Sequence, residues 1–283
     1  MKEIPAGIIG QTFDGYEIEV FIEHNGVTGI FIGTKDNVYR ILKIALIEEG
    51  RALILHEESL LKQLQHPGVI PLITRIDVLG LPALVFYRYT RGTLLQNIHS
   101  CTVEHIESIL QSLLHTVEFL SKKKIVHSDI KLENILLDDA GRPILIDFGA
   151  SKIEDRENER FTGTVEYSAP EVLRTPYRFS KESDMYSVGV CIYFLLFKKY
   201  PSIQPSNEWI DIPLRGCGMS QKNMNLLCRI LQYNPKLRME DIPPKAKEAA
   251  LSKIHSPKTN KKRSSYISLI IIVVFIISLL LFF

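Results

Sequence analysis

The sequence has few cysteines and no cysteine cluster. The four cysteines, Cys101, Cys191, Cys217 and Cys228, are widely separated in the chain of 283 residues. Zinc sites and redox pairs use cysteines at close, paired spacing, so this distribution favours reduced structural thiols. The first residues lack an apolar run of the length that a secretory signal needs. We therefore expect the main domain to remain in the cytosol.

The sequence also lacks a large excess of charge of either sign. Its C-terminal part nevertheless contains a segment rich in basic residues. The formal net charge is +2, and residues 244–263 carry seven Lys or Arg against one Glu. Because this segment precedes an apolar tail, anionic lipid headgroups explain its charge better than nucleic acid does. The sequence therefore predicts a membrane lipid partner and no nucleic-acid partner.

The C-terminal tail is a long apolar run without a charged residue. Residues 267–283 contain 15 Ile, Leu, Val or Phe residues, interrupted by Ser268 and Ser278. As a helix that rises about 1.5 Å per residue, the run is roughly 26 Å long, enough for a thin bilayer. We expect a transmembrane tail anchor at 266–283 and a basic juxtamembrane linker at 244–265, with the endoplasmic reticulum as the favoured membrane. A buried core helix is the alternative, although such helices normally keep a polar stripe.

Strand patterns occupy the first third of the chain and helical patterns the remainder. Short β-rich runs at 16–22, 29–32 and 38–44 are separated by Gly and Asn, which is typical of an antiparallel meander. A helical pattern over 48–65 stops at His66-Pro67-Gly68, and two more strands are predicted near 69–76 and 82–89. Beyond Gly92 the apolar residues recur at three- and four-residue steps, which indicates helices.

The most informative stretch carries polar residues between apolar runs. Asp129, Lys131 and Asn134 lie in one predicted loop, and Asp147 follows a second apolar run in the sequence Ile144-Leu-Ile-Asp-Phe-Gly149. This arrangement resembles the catalytic and metal-binding loops of the protein kinase family, serine/threonine type. The resemblance covers about residues 14–243.

The resemblance implies the fold. We expect an α+β, bilobal protein kinase-like fold, with a small antiparallel β-rich N-lobe at about 14–88 and a larger, mainly helical C-lobe at about 89–243. Residues 1–13 would form an N-terminal extension, and the tail anchor would add one C-terminal transmembrane helix.

The resemblance also implies the catalytic and metal-binding roles. Asp129 matches the aspartate that orients the substrate hydroxyl, and Lys131 matches the lysine that serine/threonine kinases use on the transferring phosphate. Asn134 and Asp147 match the ligands of Mg²⁺, a hard cation that prefers oxygen donors. The expected cofactors are ATP and Mg²⁺, and the expected partner is a protein with Ser or Thr.

The cofactor-binding residues fall in the first third of the chain. Lys43 should hold the α- and β-phosphates with Glu57 orienting it, although Lys35 and the adjacent Glu58 are alternatives. Gly26 and Gly29 remain of the glycine-rich loop, with His24 at its first glycine position. Phe31 and Ile41 are expected above the adenine ring, where they would make a bulky ceiling. The hinge that reads adenine is expected at Phe86, Tyr87 and Tyr89.

Several further positions match the family's structural residues. Glu171 should pair with Arg238, Asp184 should brace the catalytic loop, and Thr164 is typical of serine/threonine kinases. Ser128 replaces an arginine that often receives a phosphorylated activation loop. We therefore expect activity that does not require phosphorylation of that loop.

Two functions follow from these patterns. The first is a membrane-tethered serine/threonine kinase, because the polar positions of the family's site are filled. The alternative is a non-catalytic kinase-like scaffold at a membrane, which the bulky ceiling and incomplete glycine loop favour.

Overall fold

The computed structural model describes residues 7–154, 157–158, 161–208, 212, 214 and 216–239. The predicted linker at 244–265 and tail anchor at 266–283 lie outside the described residues, as do residues 1–6 of the predicted extension at 1–13. Within the described ranges, no helix is both long enough and apolar enough to cross a membrane.

An antiparallel sheet of six strands forms the N-lobe, in the order β1-β2-β3-β4-β6-β5. The strands are β1 (Thr12–Phe13), β2 (Tyr16–His24), β3 (Thr28–Lys35), β4 (Val38–Ala45), β5 (Leu72–Val78) and β6 (Leu81–Tyr87). The predicted meander is confirmed, and the strands predicted near 69–76 and 82–89 correspond to β5 and β6. Close turns join β2 to β3 and β3 to β4, where Asn and Gly adopt positive φ angles that suit tight reversals.

Side-chain alternation gives the sheet two different faces. On one face, Ile18, Phe31 and Leu42 form a separate buried core with residues of β5 and β6. The other face carries Lys43 and looks toward the C-lobe. Because successive side chains in a strand point to opposite faces, the position of Lys43 decides which neighbours share its face.

Helix α1 (Glu48–Leu61) packs against the face of the sheet that carries Lys43. Its buried residues include Ile54, Glu57 and Leu61, which lie three and four positions apart and therefore share one side of the helix. The predicted helix at 48–65 ends earlier than expected, since the chain turns toward His66-Pro67 after Leu61.

Three longer helices organise the C-lobe: α2 (Val103–Lys122), α3 (Lys181–Phe197) and α4 (Gln221–Ile230). Thr102 caps α2 by accepting a hydrogen bond from the amide of His105. The apolar stripe of α2 is buried as the pattern predicts. Helix α3 is buried on nearly every side, because it crosses the centre of the lobe between α2 and α4.

Short strand pairs position the loops between the lobes. Strand β7 (Ile125–Val126) leads into the loop at 127–134, and β8 (Ile135–Leu137) pairs with β9 (Pro143–Leu145), which leads to Asp147. Strand β10 (Lys152–Ile153) then returns to pair with β7. Strand β11 (Glu157–Asn158) pairs with β12 (Tyr177–Arg178) further along. Because β8 and β9 are adjacent, both polar loops emerge at the same edge.

Candidate active site

Lys43 joins two carboxylates from distant parts of the chain. Its Nζ atom lies 2.5 Å from Glu57 Oε2 on α1 and 2.6 Å from Asp147 Oδ1 after β9. The Lys43 side chain is 11% exposed and that of Glu57 only 1%, whereas that of Asp147 is 45% exposed. Glu57 therefore holds the ammonium group on its buried side, and Asp147 contacts it on its more exposed side. We call this more exposed side, between the sheet and the C-lobe, the cleft.

Burial and charge act in opposite directions on this cluster. Burial lowers the pKa of Lys43, but Glu57 and Asp147 raise it by more, and the net direction is upward. Burial raises the pKa of Asp147, and the Lys43 ammonium overcomes this effect and leaves it lowered. Lys43 therefore carries a positive charge and Asp147 a negative one at neutral pH.

Glu57 also fixes the backbone that follows Asp147. Its Oε1 atom accepts a hydrogen bond of 3.0 Å from the amide of Phe148. Asp147 itself adopts φ 64° and ψ 71°, a left-handed conformation that is uncommon for a residue with a side chain. Phe148 is fully buried and meets His127 edge-on at 4.8 Å between ring centroids. These contacts orient the Asp147 carboxylate toward Lys43.

The loop after β7 gathers donors around Asp129. Thr164 Oγ1 donates to Asp129 Oδ1 at 2.8 Å, and Lys131 Nζ lies 3.0 Å from both Asp129 Oδ2 and Thr164 Oγ1. The amide nitrogen of Asn134 donates to the backbone carbonyl of Asp129 at 2.9 Å and to its carboxylate at 3.0 Å. Asp129 is therefore held by three side chains while its own side chain stays partly accessible, at 14% exposure.

Asn134 and Asp147 together offer oxygen donors for a divalent cation. The side-chain nitrogen of Asn134 donates to Asp129, so the side-chain oxygen of Asn134 can serve as a metal ligand. Asp147 contacts Lys43 through Oδ1, and its second carboxylate oxygen is Oδ2. One carboxylate and one amide oxygen fit the partial protein coordination that Mg²⁺ completes with water and phosphate. In the part of the chain that the structure describes, no cluster of three or more His, Cys, Asp or Glu side chains could hold a metal.

Asp184 on α3 fixes the backbone of the loop at 127–134. Its two carboxylate oxygens accept hydrogen bonds from the amides of His127 at 2.7 Å and Ser128 at 3.0 Å. Burial raises the pKa of Asp184 to about 7, although these two amides pull it down. The loop is thereby held at its entry by a residue more than fifty positions away.

The structure does not place Phe31 in the cleft. Phe31 is opposite Leu42 in the β3–β4 ladder. It is fully buried in the separate core on the face of the sheet away from Lys43, which we call the outer core. Lys43 is opposite Ile30, and Ile41 is opposite Ile32. Directly opposed residues share a face of the sheet. The face that carries Lys43 and Ile41 therefore also carries Ile30 and Ile32, with Val20 opposite Ile32 in β2. We call the four aliphatic residues Val20, Ile30, Ile32 and Ile41 the roof.

Ile41, which the sequence predicted above the adenine ring, lies two residues from Lys43 and therefore shares its face of the sheet. The pairing register was also required for β3, because it decides whether Phe31 or its neighbours face Lys43. The resulting roof is aliphatic and partly exposed, with Val20 47% exposed.

The predicted hinge residues differ in where their side chains lie. Phe86 is opposite Ile41 on the cleft face and is buried in the main core. Tyr87 is opposite Arg40 and 48% exposed, with the guanidinium 5.2 Å from its ring centroid. Tyr89 packs partly against the main core, and burial raises its pKa. Of the three predicted hinge side chains, Phe86 is the one whose register places it on the cleft face.

Of the two predicted glycines, Gly26 lies in the β2–β3 turn and Gly29 is the second residue of β3. Gly26 has φ 91°, which suits glycine. Gly29 is opposite Ile44 in β4, and a Cβ there would come within 2.9 Å of the Phe31 ring. Gly29 therefore allows close packing on the outer face.

The alternatives to Lys43 and Glu57 have other partners. Lys35 Nζ donates to the carbonyl of Asp14 and lies 4.7 Å from the Tyr16 ring centroid. Glu58 pairs with Lys62 and Arg75. Neither belongs to the cluster around Lys43.

Below the site, Arg238 and Glu171 form the expected ion pair. Arg238 is fully buried, and its two terminal nitrogens lie 2.6 and 2.9 Å from the two carboxylate oxygens of Glu171. This bidentate pair joins the segment after Thr164 to the end of the described chain.

Comparisons with known proteins agree with this geometry. The model of the protein kinase domain matches residues 37–250. The gamma catalytic chain of phosphorylase b kinase, liver/testis isoform, from Rattus norvegicus is 36% identical over 226 residues, which cover 70% of this chain and 54% of that protein. The PAS domain-containing serine/threonine-protein kinase of Mus musculus is 32% identical over 209 residues, which cover 70% of this chain and 15% of that protein.

The chain thus spans about half the length of the phosphorylase b kinase chains that it matches. The family model covers most of its length, from β4 onward. The polar residues around Lys43 and Asp129 lie within that match. This chain belongs to the protein kinase domain family.

Proposed function

We propose that this chain is a serine/threonine protein kinase that transfers the γ-phosphate of ATP to a protein hydroxyl with Mg²⁺. The observation that carries the proposal is that Lys43 contacts Asp147, while the strand before Asp147 pairs with the strand after the loop of Asp129. The amide of Ile146 also donates to the carbonyl of Asn134 at 3.0 Å, which joins the two loops. In this mechanism Lys43 holds the α- and β-phosphates, and Asp129 orients the substrate hydroxyl and accepts its proton. Lys131, already within reach of Asp129 and Thr164, places its positive charge beside the phosphate in transfer.

Magnesium, when bound, supplies neutralisation of the phosphate charge. Asn134 and Asp147 would hold it through the oxygens described above. The aliphatic roof of Val20, Ile30, Ile32 and Ile41 suits a flat apolar ring better than a ceiling that includes Phe31 would, because Phe31 lies on the other face. Lys131 and Thr164 favour serine and threonine as acceptors, in keeping with the family pattern.

The test is phosphoryl transfer by the full chain in detergent. The protein is incubated with labelled ATP, Mg²⁺ and a generic protein substrate, beside Asp129→Asn. We expect labelling of serine and threonine by the unaltered chain and a loss of about 10² to 10⁴-fold in the variant. Transfer no greater than that of Asp129→Asn would contradict the proposal.

A non-catalytic scaffold is the second candidate, favoured by the β2–β3 turn. The backbone amides of that turn are bonded to side chains of the same turn, so they are not open to phosphates. A scaffold that still binds nucleotide would show a magnesium-dependent thermal shift with ATP and no transfer. Transfer above the Asp129→Asn background would exclude this candidate.

We further propose that activity does not depend on phosphorylation of the segment between Asp147 and Glu171. Ser128 supports this, because its hydroxyl donates to the Ala150 carbonyl at 2.7 Å and links the start of that segment to the catalytic loop. A neutral hydrogen bond thus occupies the place from which an arginine would reach a phosphate. Treatment of the protein with a phosphatase should leave the rate of phosphoryl transfer unchanged. Loss of transfer after this treatment would refute the proposal.

Membrane tethering through residues 266–283 remains part of the proposal, and the apolar sequence and its basic flank support it. We expect the full chain to float with membranes after alkaline carbonate extraction, whereas a chain ending at residue 260 should not. A tagged tail should stain the endoplasmic reticulum. Exclusive mitochondrial staining would refute that location.

A further inference from the structure

The β2–β3 turn is short and closed by its own side chains. Strand β2 ends at His24 and β3 begins at Thr28, so Asn25, Gly26 and Val27 alone connect them. His24 is opposite Gly29 in the ladder. The strands therefore remain paired up to the turn, which is the segment where the sequence predicted a glycine-rich phosphate loop.

The amides of this turn already have acceptors. The Asn25 side-chain oxygen accepts hydrogen bonds from the backbone amides of Val27 at 3.1 Å and Thr28 at 2.8 Å, and from the Thr28 hydroxyl at 3.2 Å. The amide of Gly26 donates to His24 Nδ1 at 3.2 Å. Each backbone amide has a single hydrogen to donate, so these three are committed within the turn.

The tip of the turn is also seated against the next element. The carbonyl of Val27 accepts a hydrogen bond of 2.8 Å from the amide of Leu46. A Cβ on Gly50, in the first turn of α1, would lie 2.1 Å from the same carbonyl oxygen. The close approach is possible because residue 50 is glycine, and it holds the turn beside α1.

Convergent backbone amides bind anions when they have no other acceptor. In this turn the Asn25 side-chain oxygen accepts hydrogen bonds from two such backbone amides and from the Thr28 hydroxyl, as a phosphate oxygen would. We propose that the Asn25 side chain occupies the anion position of this turn, and that it thereby limits how much the phosphates contribute to nucleotide binding. Lys43, Asn134 and Asp147 then carry most of the phosphate and metal recognition. The inference rests on the proposed ATP-dependent function and concerns its binding step.

Two substitutions of Asn25 separate this role from a purely structural one. Asn25→Ala releases the amides of Val27 and Thr28 and should strengthen ATP binding relative to adenosine by about fivefold, since hydrogen bonds to charged groups are the stronger ones. Asn25→Asp keeps an acceptor oxygen in the same place and adds a negative charge, so the closed turn persists while phosphates are repelled. ATP binding relative to adenosine should fall by about fivefold.

The matched control is Asn234→Ala in the C-lobe. Asn234 also accepts a hydrogen bond from a backbone amide two residues on, that of Lys236 at 3.1 Å, but it lies in the C-terminal part of the described chain, away from the cleft. Its replacement should leave the ratio of ATP to adenosine affinity unchanged. If Asn25→Ala does not fold, Asn25→Asp still tests the sign of the effect.

The measurement is calorimetric titration of the full chain in detergent with ATP and with adenosine, each with Mg²⁺. Opposite shifts of the affinity ratio in the Ala and Asp variants would support the inference. Equal losses for both ligands, or an unchanged ratio in both variants, would overturn it while transfer by the unaltered chain would still uphold the proposed function. Failure of the unaltered chain to bind either ligand would overturn both.

Discussion

Lys43 and Asp147 are 104 positions apart in the sequence, yet Nζ of the first lies 2.6 Å from Oδ1 of the second. Glu57 makes this contact possible, because it binds the Lys43 ammonium and also the amide of Phe148 next to Asp147. A strand of the N-lobe, helix α1 and the loop after β9 thus meet at one buried carboxylate. Movement of any of these elements would separate the groups proposed to hold phosphate and metal.

Neutralising Glu57 should therefore destabilise the fold and disorganise the site. Glu57→Gln keeps an acceptor for the Phe148 amide but leaves the buried Lys43 without one of its two counter-charges. The free energy of unfolding should fall by about 3 kcal/mol, as for other broken buried pairs, and phosphoryl transfer should fall with it. Urea denaturation measures the first effect. Glu49→Gln, on the exposed first turn of α1, is the control and should change stability by less than about 0.5 kcal/mol.

Thr164 should act on the rate rather than on nucleotide affinity. Its hydroxyl lies between Asp129 and Lys131, so Thr164→Ala removes the group that positions both. We expect kcat to fall about tenfold or more with KM for ATP little changed, because ATP contacts in the proposed mechanism do not include Thr164. Thr164→Ser should restore most of the rate. An equal effect of both substitutions would argue against the hydroxyl.

Ser128 should stabilise the segment that begins at Ala150. In Ser128→Ala the Ala150 carbonyl loses its donor, which should cost about 1 kcal/mol of unfolding free energy. Transfer should decrease without becoming dependent on phosphorylation. The backbone carbonyl of Ser128 also leaves no room for a side chain at Gly163, since a Cβ there would lie 2.8 Å from the carbonyl oxygen. Gly163 has φ 151°. Gly163→Ala should therefore be more harmful than Ser128→Ala, and the reverse order in thermal denaturation would contradict this account.

Arg238 should be essential to the stability of the C-lobe. Arg238→Met leaves the partly buried Glu171 without its bidentate partner and should cost about 3–5 kcal/mol. The control is Arg142→Met, since the Arg142 side chain is 70% exposed and pairs with Asp138 four residues away. Exposed pairs of that kind contribute less than about 1 kcal/mol. Comparable losses in the two variants, measured by chemical denaturation, would show that burial does not set the strength of the Arg238 pair.

His127 should make the protein less stable in mild acid. Burial lowers the pKa of His127 below its ordinary value of 6.5, against the opposing influence of Asp129 and Asp147. Its Nε2 donates to the carbonyl of Ile146 at 3.0 Å, a hydrogen bond that also raises the pKa but does not outweigh burial. Below pH 6.5 the unfolded chain therefore takes up a proton that the folded chain refuses, and stability falls as the pH falls toward the lowered pKa.

The comparison that isolates this effect is with His127→Gln, which removes the titrating ring. Asp184 has its pKa raised to about 7 and contributes in the opposite sense, since its stabilising effect declines as the pH rises from 3.8 toward that value. That contribution is present in both proteins and cancels in the difference. Thermal unfolding between pH 5 and 7 should show a shallower loss of stability for His127→Gln than for the unaltered chain, and equal slopes would contradict the prediction.

Much of the fold could be predicted from the sequence because local patterns specify it. The alternation in β2 to β4, the stripe of α2 and the polar residues at Asp129 and Asn134 each depend on neighbours within a few positions. The resemblance to the kinase family also indicated that Lys43 and Glu57 would meet, with Lys35 and Glu58 as the alternatives. The helix at 48–65 ended early because the turn at His66-Pro67 competes with helix propagation, a boundary effect that propensity does not resolve.

The errors arose where the outcome depended on pairing between strands. Phe31 was expected above a nucleotide because it matches a family position above the adenine ring, whereas the β3–β4 register turns it to the outer core. A shift of one residue in a strand exchanges the two faces. The closure of the β2–β3 turn by Asn25 likewise could not be read from its glycines alone, since the hydrogen bonds depend on the turn that the paired strands impose.

The sequence by itself determined the family, the order of the elements and the identity of the polar residues, because these are written in local spacing and residue chemistry. The tertiary structure decided which of those residues touch, which face each strand presents to the cleft, and which backbone amides remain open. These depend on contacts between segments far apart in the chain, such as Lys43 with Asp147 and Ser128 with Asp184. Local patterns bring such groups to the right elements, and packing of the elements sets the distances that chemistry requires.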